Sequence, residues 1–208
     1  MFFVDLELWT RLTLGHLIVG GVFERHPGLQ FVWTEMPGLR WAVEDLERLT
    51  RNLAVVQTRF RGERYNLSHT FSSATADGLT LTPIEYFRRN CSIGASMMPR
   101  HDIHLVHVLG ADRIMWGHDF PHEEGSTPYT LAALRETFHD FDVAECRWLL
   151  GGTAAARYGF DLERLTPVAE RIGPPVDLIH TPLPEAPPSF GSAFWRPDPL
   201  AQAVGARG

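Results

Sequence analysis

Residues 110–122 read GADRIMWGHDFPH, an apolar run followed at once by a cluster of polar groups. The apolar residues 114–116 favour a buried strand, because they are of the kinds that pack on a pleated surface. The polar cluster then falls at the carboxyl end of that strand, where parallel α/β folds concentrate their functional residues. This stretch therefore predicts a strand of a parallel sheet with a functional loop after it.

Two further strands are predicted upstream, at residues 29–34 and 91–96. Helices are predicted at residues 6–25, 40–53, 100–109, 130–138, 143–158 and 162–172. Strands that are each followed by a helix are typical of a parallel sheet covered by helices. A closed eight-stranded barrel takes about 250 residues. We therefore expect an α/β fold in the form of an incomplete TIM (β/α)8 barrel.

The composition divides the chain into two parts. Residues 1–172 carry the alternating strands and helices, whereas residues 173–208 are rich in proline and small residues and are expected to form an extended tail. Within the first part, Thr82, Pro83 and Glu85 have the spacing of a capping box and predict a helix start.

Composition and charge exclude several classes of protein. The chain has 208 residues, 44% of them hydrophobic, and a net charge of -6 without a long basic run, which argues against a nucleic-acid partner. No segment predicts a membrane span or a signal peptide, so we expect a cytoplasmic protein. Cys91 and Cys146 lack the paired spacing of a zinc site or a disulfide framework and are expected to be buried thiols.

Two carboxylates are the main candidates for chemistry. Asp119 follows the predicted strand at residues 114–116 and is flanked by His118 and His122, which suits metal binding or proton transfer. Glu35 follows the strand at residues 29–34 in the corresponding place. The structural alternatives are an aspartate that caps the loop and a glutamate at a simple turn. Two carboxylates at one end of a sheet are what metal-assisted hydrolysis or decarboxylation would use.

Other polar residues are better explained by structure. Three histidines and an aspartate share one predicted helix, and we expect them to form a partly exposed face rather than a ligand set: His101, Asp102, His104 and His107. Residues 151–153 are expected to be a structural turn rather than a phosphate site, and Trp33, Trp41 and Trp116 are expected in the core.

Three motifs resemble amidohydrolase family 2, the group related to aminocarboxymuconate semialdehyde decarboxylase. They are GGVFERHP at residues 20–27 with the strand after it, GADRIMWGHDFPH at residues 110–122, and LGGTAAARYGF at residues 150–160. The resemblance spans about residues 6–165. It implies a metal-dependent barrel enzyme that acts on a small organic acid, amide or ester, with zinc as the metal or manganese in its place.

The resemblance also implies roles for individual residues. Asp119 would be both metal ligand and catalytic base, and His118 and His122 substrate-binding residues of the adjoining loop. Many members of the family have a catalytic histidine where this chain has Glu35, so we expect either a different proton-transfer residue or a catalytic carboxylate at this position. Three arginines close in sequence, Arg88, Arg89 and Arg100, are expected to attract a carboxylate substrate. The family's dimers further imply a homodimer.

The resemblance places a His-x-His metal-binding pair upstream of Met1, so we expect this chain to be the carboxyl-terminal portion of such a barrel. Two other functions stay open on the sequence alone. A decarboxylase would use the same metal and aspartate, and a non-catalytic half-barrel would work only by association with another chain.

Overall fold

The computed structural model describes residues 2–36, 38–59, 78–96, 98–122 and 125–185. Within these ranges, the strands are β1 (Phe31–Met36), β2 (Cys91–Ser96) and β3 (Ile114–Gly117). The α-helices are α1 (Phe2–Val19), α2 (Val22–Arg25), α3 (Arg40–Arg59), α4 (Pro83–Asn90), α5 (Val106–Leu109), α6 (Thr130–Phe138), α7 (Val143–Arg147), α8 (Thr153–Tyr158), α9 (Leu162–Ile172) and α10 (Val176–Ile179). Two 3-10 segments, Arg100–Leu105 and Ala111–Arg113, precede α5 and β3.

The three strands form one parallel sheet in the order β1-β2-β3. In the β2–β3 pair, Ile93 lies opposite Ile114 and Ser96 lies opposite Gly117. The three strands predicted from sequence are thus confirmed, although β1 lies two residues later than the predicted range of 29–34, so that Glu35, expected to follow this strand, lies within it. A parallel sheet with helical connections is consistent with part of a TIM-type α/β fold; the incomplete barrel expected from the sequence stays a prediction.

One compact unit comprises residues 1–33 and 40–92. Its core contains Trp33 on β1 and Trp41 on α3, whose rings meet edge to face with centroids 5.9 Å apart. The capping box predicted at the start of α4 is present, since Glu85 accepts hydrogen bonds from both the backbone N–H and the hydroxyl of Thr82, at 2.7 and 2.6 Å. Burial of α4 then brings Tyr86 and Phe87 into this core.

The other compact unit comprises, among the described residues, 34–36, 38–39, 93–96, 98–122 and 125–185. Its core is formed by β2, β3 and the surrounding helices, with Ile93, Ile114 and Phe138 fully buried. The helix predicted over residues 143–158 is interrupted by a π-helical turn at Trp148–Gly152. Glycine is a poor helix former, which accounts for the interruption at residues 151 and 152. Just after it, the hydroxyl of Thr153 donates to the carbonyl of Ala111 at 3.2 Å and so connects this segment to the 3-10 segment before β3.

The predicted extended tail is described only to residue 185. Its first part is not extended throughout, because α10 buries Ile179, and Arg135 on α6 donates to the carbonyls of Thr181 and Pro182. Residues 186–208 lie outside the described residues. None of the described helices combines the length and the apolar composition needed to cross a bilayer.

Candidate functional site

Asp119 lies two residues beyond β3, in a left-handed backbone conformation with φ 60°. Its side chain is only 14% exposed, and its Oδ2 lies 3.1 Å from Nδ1 of His122. A carboxylate can only accept a hydrogen bond, so the ring Nδ1–H of His122 is the donor. Nε2, the other ring nitrogen, belongs to a side chain that is 53% exposed.

The loop that carries this pair is closed by its own backbone. The N–H of His122 donates to the carbonyl of Asp119 at 2.9 Å, and the N–H of Ser126 donates to the carbonyl of His118 at 3.0 Å. Gly125 is buried between these groups, and a Cβ there would lie 2.8 to 3.0 Å from the carbonyl oxygens of His118, His122 and Asp119. Glycine at this position therefore allows the loop to close around the Asp119–His122 pair.

Glu35 occupies β1 and is exposed. Its backbone is also left-handed, with φ 57°. Within the described ranges, Glu35 and Asp119 are the two non-glycine residues with positive φ. Such a conformation costs about 1–2 kcal/mol for an L-residue, and strained residues of this kind cluster at functional sites. The two carboxylates predicted from sequence are thus the two strained positions.

The sheet order fixes the approximate separation of Glu35 and Asp119. One lies near the carboxyl end of β1 and the other just beyond that of β3, with β2 between them. Two inter-strand spacings are about 10 Å between backbones. Both residues therefore lie at the end of the sheet that is formed by the carboxyl ends of the strands.

The two histidines of the loop are in different situations. Nδ1 of His118 accepts a hydrogen bond from the N–H of Phe120 at 3.1 Å, so its neutral ring carries the proton on Nε2. His118 can therefore donate to a substrate, whereas His122 can accept a proton. The substrate-binding role predicted for both stays a prediction.

The described residues do not by themselves fit a metal centre. Among them, no group of three or more His, Cys, Asp or Glu side chains is close enough to hold an ion. Asp119 and His122 are two donors of the right chemical type, whereas a mononuclear zinc site takes at least three protein ligands. The metal-ligand role of Asp119 stays a prediction.

Two of the three arginines expected to attract substrate, Arg89 and Arg100, are engaged in structural contacts. Arg100 donates to the carbonyl of Thr137 at 2.9 Å and forms a two-point ion pair with Asp140 at 2.6 Å, which raises the pKa of Arg100 and lowers that of Asp140. Arg89 donates to the backbone carbonyl of Phe23 and to Oδ1 of Asn90. These partners hold helices in place, so neither Arg89 nor Arg100 is a free anion-binding group.

The expectation of a partly exposed polar helix face is correct for three of its four residues. His101, His104 and His107 are exposed. Asp102 is only 2% exposed, and its Oδ2 accepts a hydrogen bond from the backbone N–H of Leu39 at 2.8 Å. The segment is a 3-10 helix, in which residues three apart share a face, so Asp102 is buried together with Leu105. That spacing to Leu105 is the signal in the sequence that could have identified Asp102.

Comparison with solved structures finds a similar fold in another protein. A crystal structure of an amidohydrolase from Mycobacterium avium subsp. paratuberculosis matches with a TM-score of 0.56 and 24% sequence identity, over 76% of this chain and 34% of that chain. This likeness concerns the fold, and the chain spans about a third of the length of that amidohydrolase. No curated protein sequence gives a significant match.

The sequence profile that describes amidohydrolases matches residues 10–160, which is most of the chain and includes Glu35, Asp119 and His122. The motifs at residues 110–122 and 150–160 both lie within this match. The chain therefore belongs to the amidohydrolase family, in its family 2 group.

Proposed function

We propose that the chain supplies the proton-transfer groups of a hydrolase that acts on a small organic acid, amide or ester. Membership of the amidohydrolase family supports a hydrolytic function in general. The observation that supports this particular site is the conformation of Glu35 and Asp119, which are left-handed at one edge of the sheet, with His122 hydrogen-bonded to Asp119.

Amidohydrolases generally use divalent metals. We propose zinc, or manganese in its place, for the complete site, because carboxylate and imidazole donors are types that zinc accepts. The described residues supply two such donors, so a metal centre would require at least one more.

The Asp119–His122 pair is arranged to accept a proton. With Nδ1–H of His122 donated to Asp119, Nε2 can take a proton from a water molecule as that water attacks a carbonyl carbon. The carboxylate of Asp119 holds the ring orientation and stabilises the imidazolium that forms. Asp119, only 14% exposed, is shielded from bulk water enough to strengthen this interaction.

Glu35 lies near the carboxyl end of β1, on the other side of β2. When the tetrahedral intermediate collapses, its leaving oxygen or nitrogen needs a proton, which the protonated form of Glu35 would supply; proton exchange with solvent would then restore His122 and Glu35. Glu35 and the Asp119–His122 pair would then divide the two proton transfers between them. His118, with its proton on Nε2, is placed to donate to a carboxylate of the substrate.

Hydrolysis of p-nitrophenyl acetate tests this proposal. The purified chain is dialysed against EDTA and assayed alone and with zinc or manganese added, while release of CO2 from a small aromatic acid is measured in parallel. Ester hydrolysis above the buffer rate is the expected result. If CO2 is released without ester hydrolysis, the chain is a decarboxylase rather than a hydrolase. If neither reaction occurs under any of these conditions, the result supports a non-catalytic half-barrel.

A further inference from the structure

We propose that Asp102 is a positioning residue that sets the location of Glu35 relative to the Asp119–His122 pair. The inference rests on the proposed function, in which these groups share two proton transfers. Asp102 touches neither pair member nor Glu35 in the hydrogen bonds described above. It acts on the backbone that follows Glu35.

The segment after Glu35 is held by Asp102 and by burial. The N–H of Leu39 donates to Oδ2 of Asp102 at 2.8 Å, and the N–H of Gly38 donates to the carbonyl of Met36 at 2.8 Å. Met36 is 6% exposed and Leu39 is fully buried. The short segment after Glu35 is therefore anchored at Met36 and at Leu39, whereas the side chain of Glu35 is exposed.

Gly38 shows how closely this segment approaches Asp102. Its φ is +110°, and a Cβ built on it would lie 2.5 Å from Oδ2 of Asp102. The backbone thus lies directly against the carboxylate, with no room for a side chain at residue 38. The buried carboxylate of Asp102 accepts the Leu39 N–H and so fixes the position of the backbone after Glu35.

Asp102 itself belongs to a framework that extends toward Asp119. The 3-10 helix Arg100–Leu105 is tied to α6, because Arg100 donates to the carbonyl of Thr137 at 2.9 Å and the Thr137 hydroxyl donates to that of Met98 at 3.3 Å. The first residue of α6, Thr130, is within 3.1 Å of the hydroxyl of Ser126, in the loop that carries Asp119.

These contacts form one continuous path between the two carboxylates: the loop of Asp119, α6, the 3-10 helix and the segment after Glu35. Asp102 is the member of this path that contacts the Glu35 side. Proton transfer is sensitive to misplacement, and a shift of about 1 Å can reduce a rate about 100-fold. Removing the carboxylate should therefore affect the chemical step more than substrate binding.

Three variants of the full chain test the inference: Asp102→Ala, Asp102→Asn and Asp142→Ala. Asparagine retains a carbonyl oxygen that can accept the Leu39 N–H, so Asp102→Asn is the conservative variant. Asp142 caps α7 by accepting the N–H groups of Ala144 and Glu145, so Asp142→Ala also removes a carboxylate from backbone donors, but not at the Glu35 segment. Crystal structures give the Cα–Cα distance from Glu35 to Asp119, and p-nitrophenyl acetate hydrolysis gives kcat and KM.

Asp102→Ala is expected to change the Glu35–Asp119 distance by about 1 Å and to lower kcat about 10- to 100-fold with KM nearly unchanged. Asp102→Asn and Asp142→Ala should keep the distance and kcat close to those of the unmodified chain. An unchanged distance in Asp102→Ala overturns the inference, whatever the activity. A changed distance with unchanged kcat overturns it as well. If the unmodified chain hydrolyses nothing, the proposed function fails, and the distance alone decides the role of Asp102.

Discussion

Replacement of Gly38 by alanine tests the packing at the loop after Glu35. The added Cβ would lie 2.5 Å from Oδ2 of Asp102 and 3.3 Å from Cδ of Pro99. Alanine at φ +110° carries a backbone cost of about 1–2 kcal/mol. If Asp102 moves away to make room, the Leu39 N–H loses its acceptor while it is buried, which costs about 1–3 kcal/mol more. The free energy of unfolding should therefore fall by about 2–5 kcal/mol.

The matched control is Gly159→Ala. Gly159 also has positive φ, +70°, but a Cβ there meets no atom within 4 Å, so only the backbone cost of about 1–2 kcal/mol applies. Urea unfolding followed by circular dichroism gives the free energy of unfolding of both variants. Gly38→Ala should be the less stable of the two by about 1–3 kcal/mol. Equal stabilities, within about 0.5 kcal/mol, would refute the argument that Asp102 and Gly38 are tightly packed.

Two further predictions concern groups with shifted pKa values. The hydroxyl of Tyr86 donates to Glu24 and holds the pKa of Glu24 below its usual value, while burial and this hydrogen bond raise the pKa of Tyr86. The contribution of Glu24 to stability is present above its usual pKa and is lost as the pH falls through the lowered pKa. The contribution of Tyr86 is fully present below its usual pKa of about 10 and is lost as the pH rises through the raised pKa. Destabilisation by Tyr86→Phe should therefore be greatest near neutral pH and smaller at both extremes, as urea unfolding across the pH range would show; a pH-independent difference would contradict this. Burial, with the charges of Asp142 and Glu145 next, raises the pKa of Cys146 to about 11, and Cys91 is fully buried. Neither thiol should react with Ellman's reagent at pH 8 until the chain is denatured, and a thiol that reacts in the native protein would show that its surroundings are open.

Local sequence patterns predicted the features that depend on neighbouring residues. The apolar run at residues 114–116 predicted β3 because its side chains determine its burial, and Asp119 was placed correctly because it follows that strand. The capping box at Thr82 and Glu85 likewise depends on residues three apart. In each case, the residues that form the feature are adjacent along the chain.

The features that could not be predicted depend on distant parts of the chain or on backbone angles. Asp102 was assigned to an exposed face because the histidines around it suggested one; its spacing to Leu105 indicates a buried face, but its hydrogen bond with Leu39, 63 residues away, has no signal in the local sequence. The left-handed backbone of Glu35 has no signal in the alternation of apolar and polar residues, which shows the face of a strand but not its φ. The arginines interpreted as substrate-attracting were likewise assigned by proximity in sequence, before their partners on other helices were known.

Whether Asp119, with His122, forms the catalytic centre of the proposed hydrolase is tested most directly by the ester hydrolysis rate of Asp119→Asn. Asp112→Asn is the matched control. Asp112 lies before β3, whereas Asp119 lies after it, and the Asp112 carboxylate pairs with Arg113 at 2.9 Å. Asp119→Asn should reduce kcat for p-nitrophenyl acetate at least about 100-fold, because general-base catalysis by His122, worth about 100- to 10,000-fold, depends on the carboxylate that orients its ring and stabilises the imidazolium. Asp112→Asn should retain the rate of the unmodified chain. Equal rates for the two variants would contradict the account.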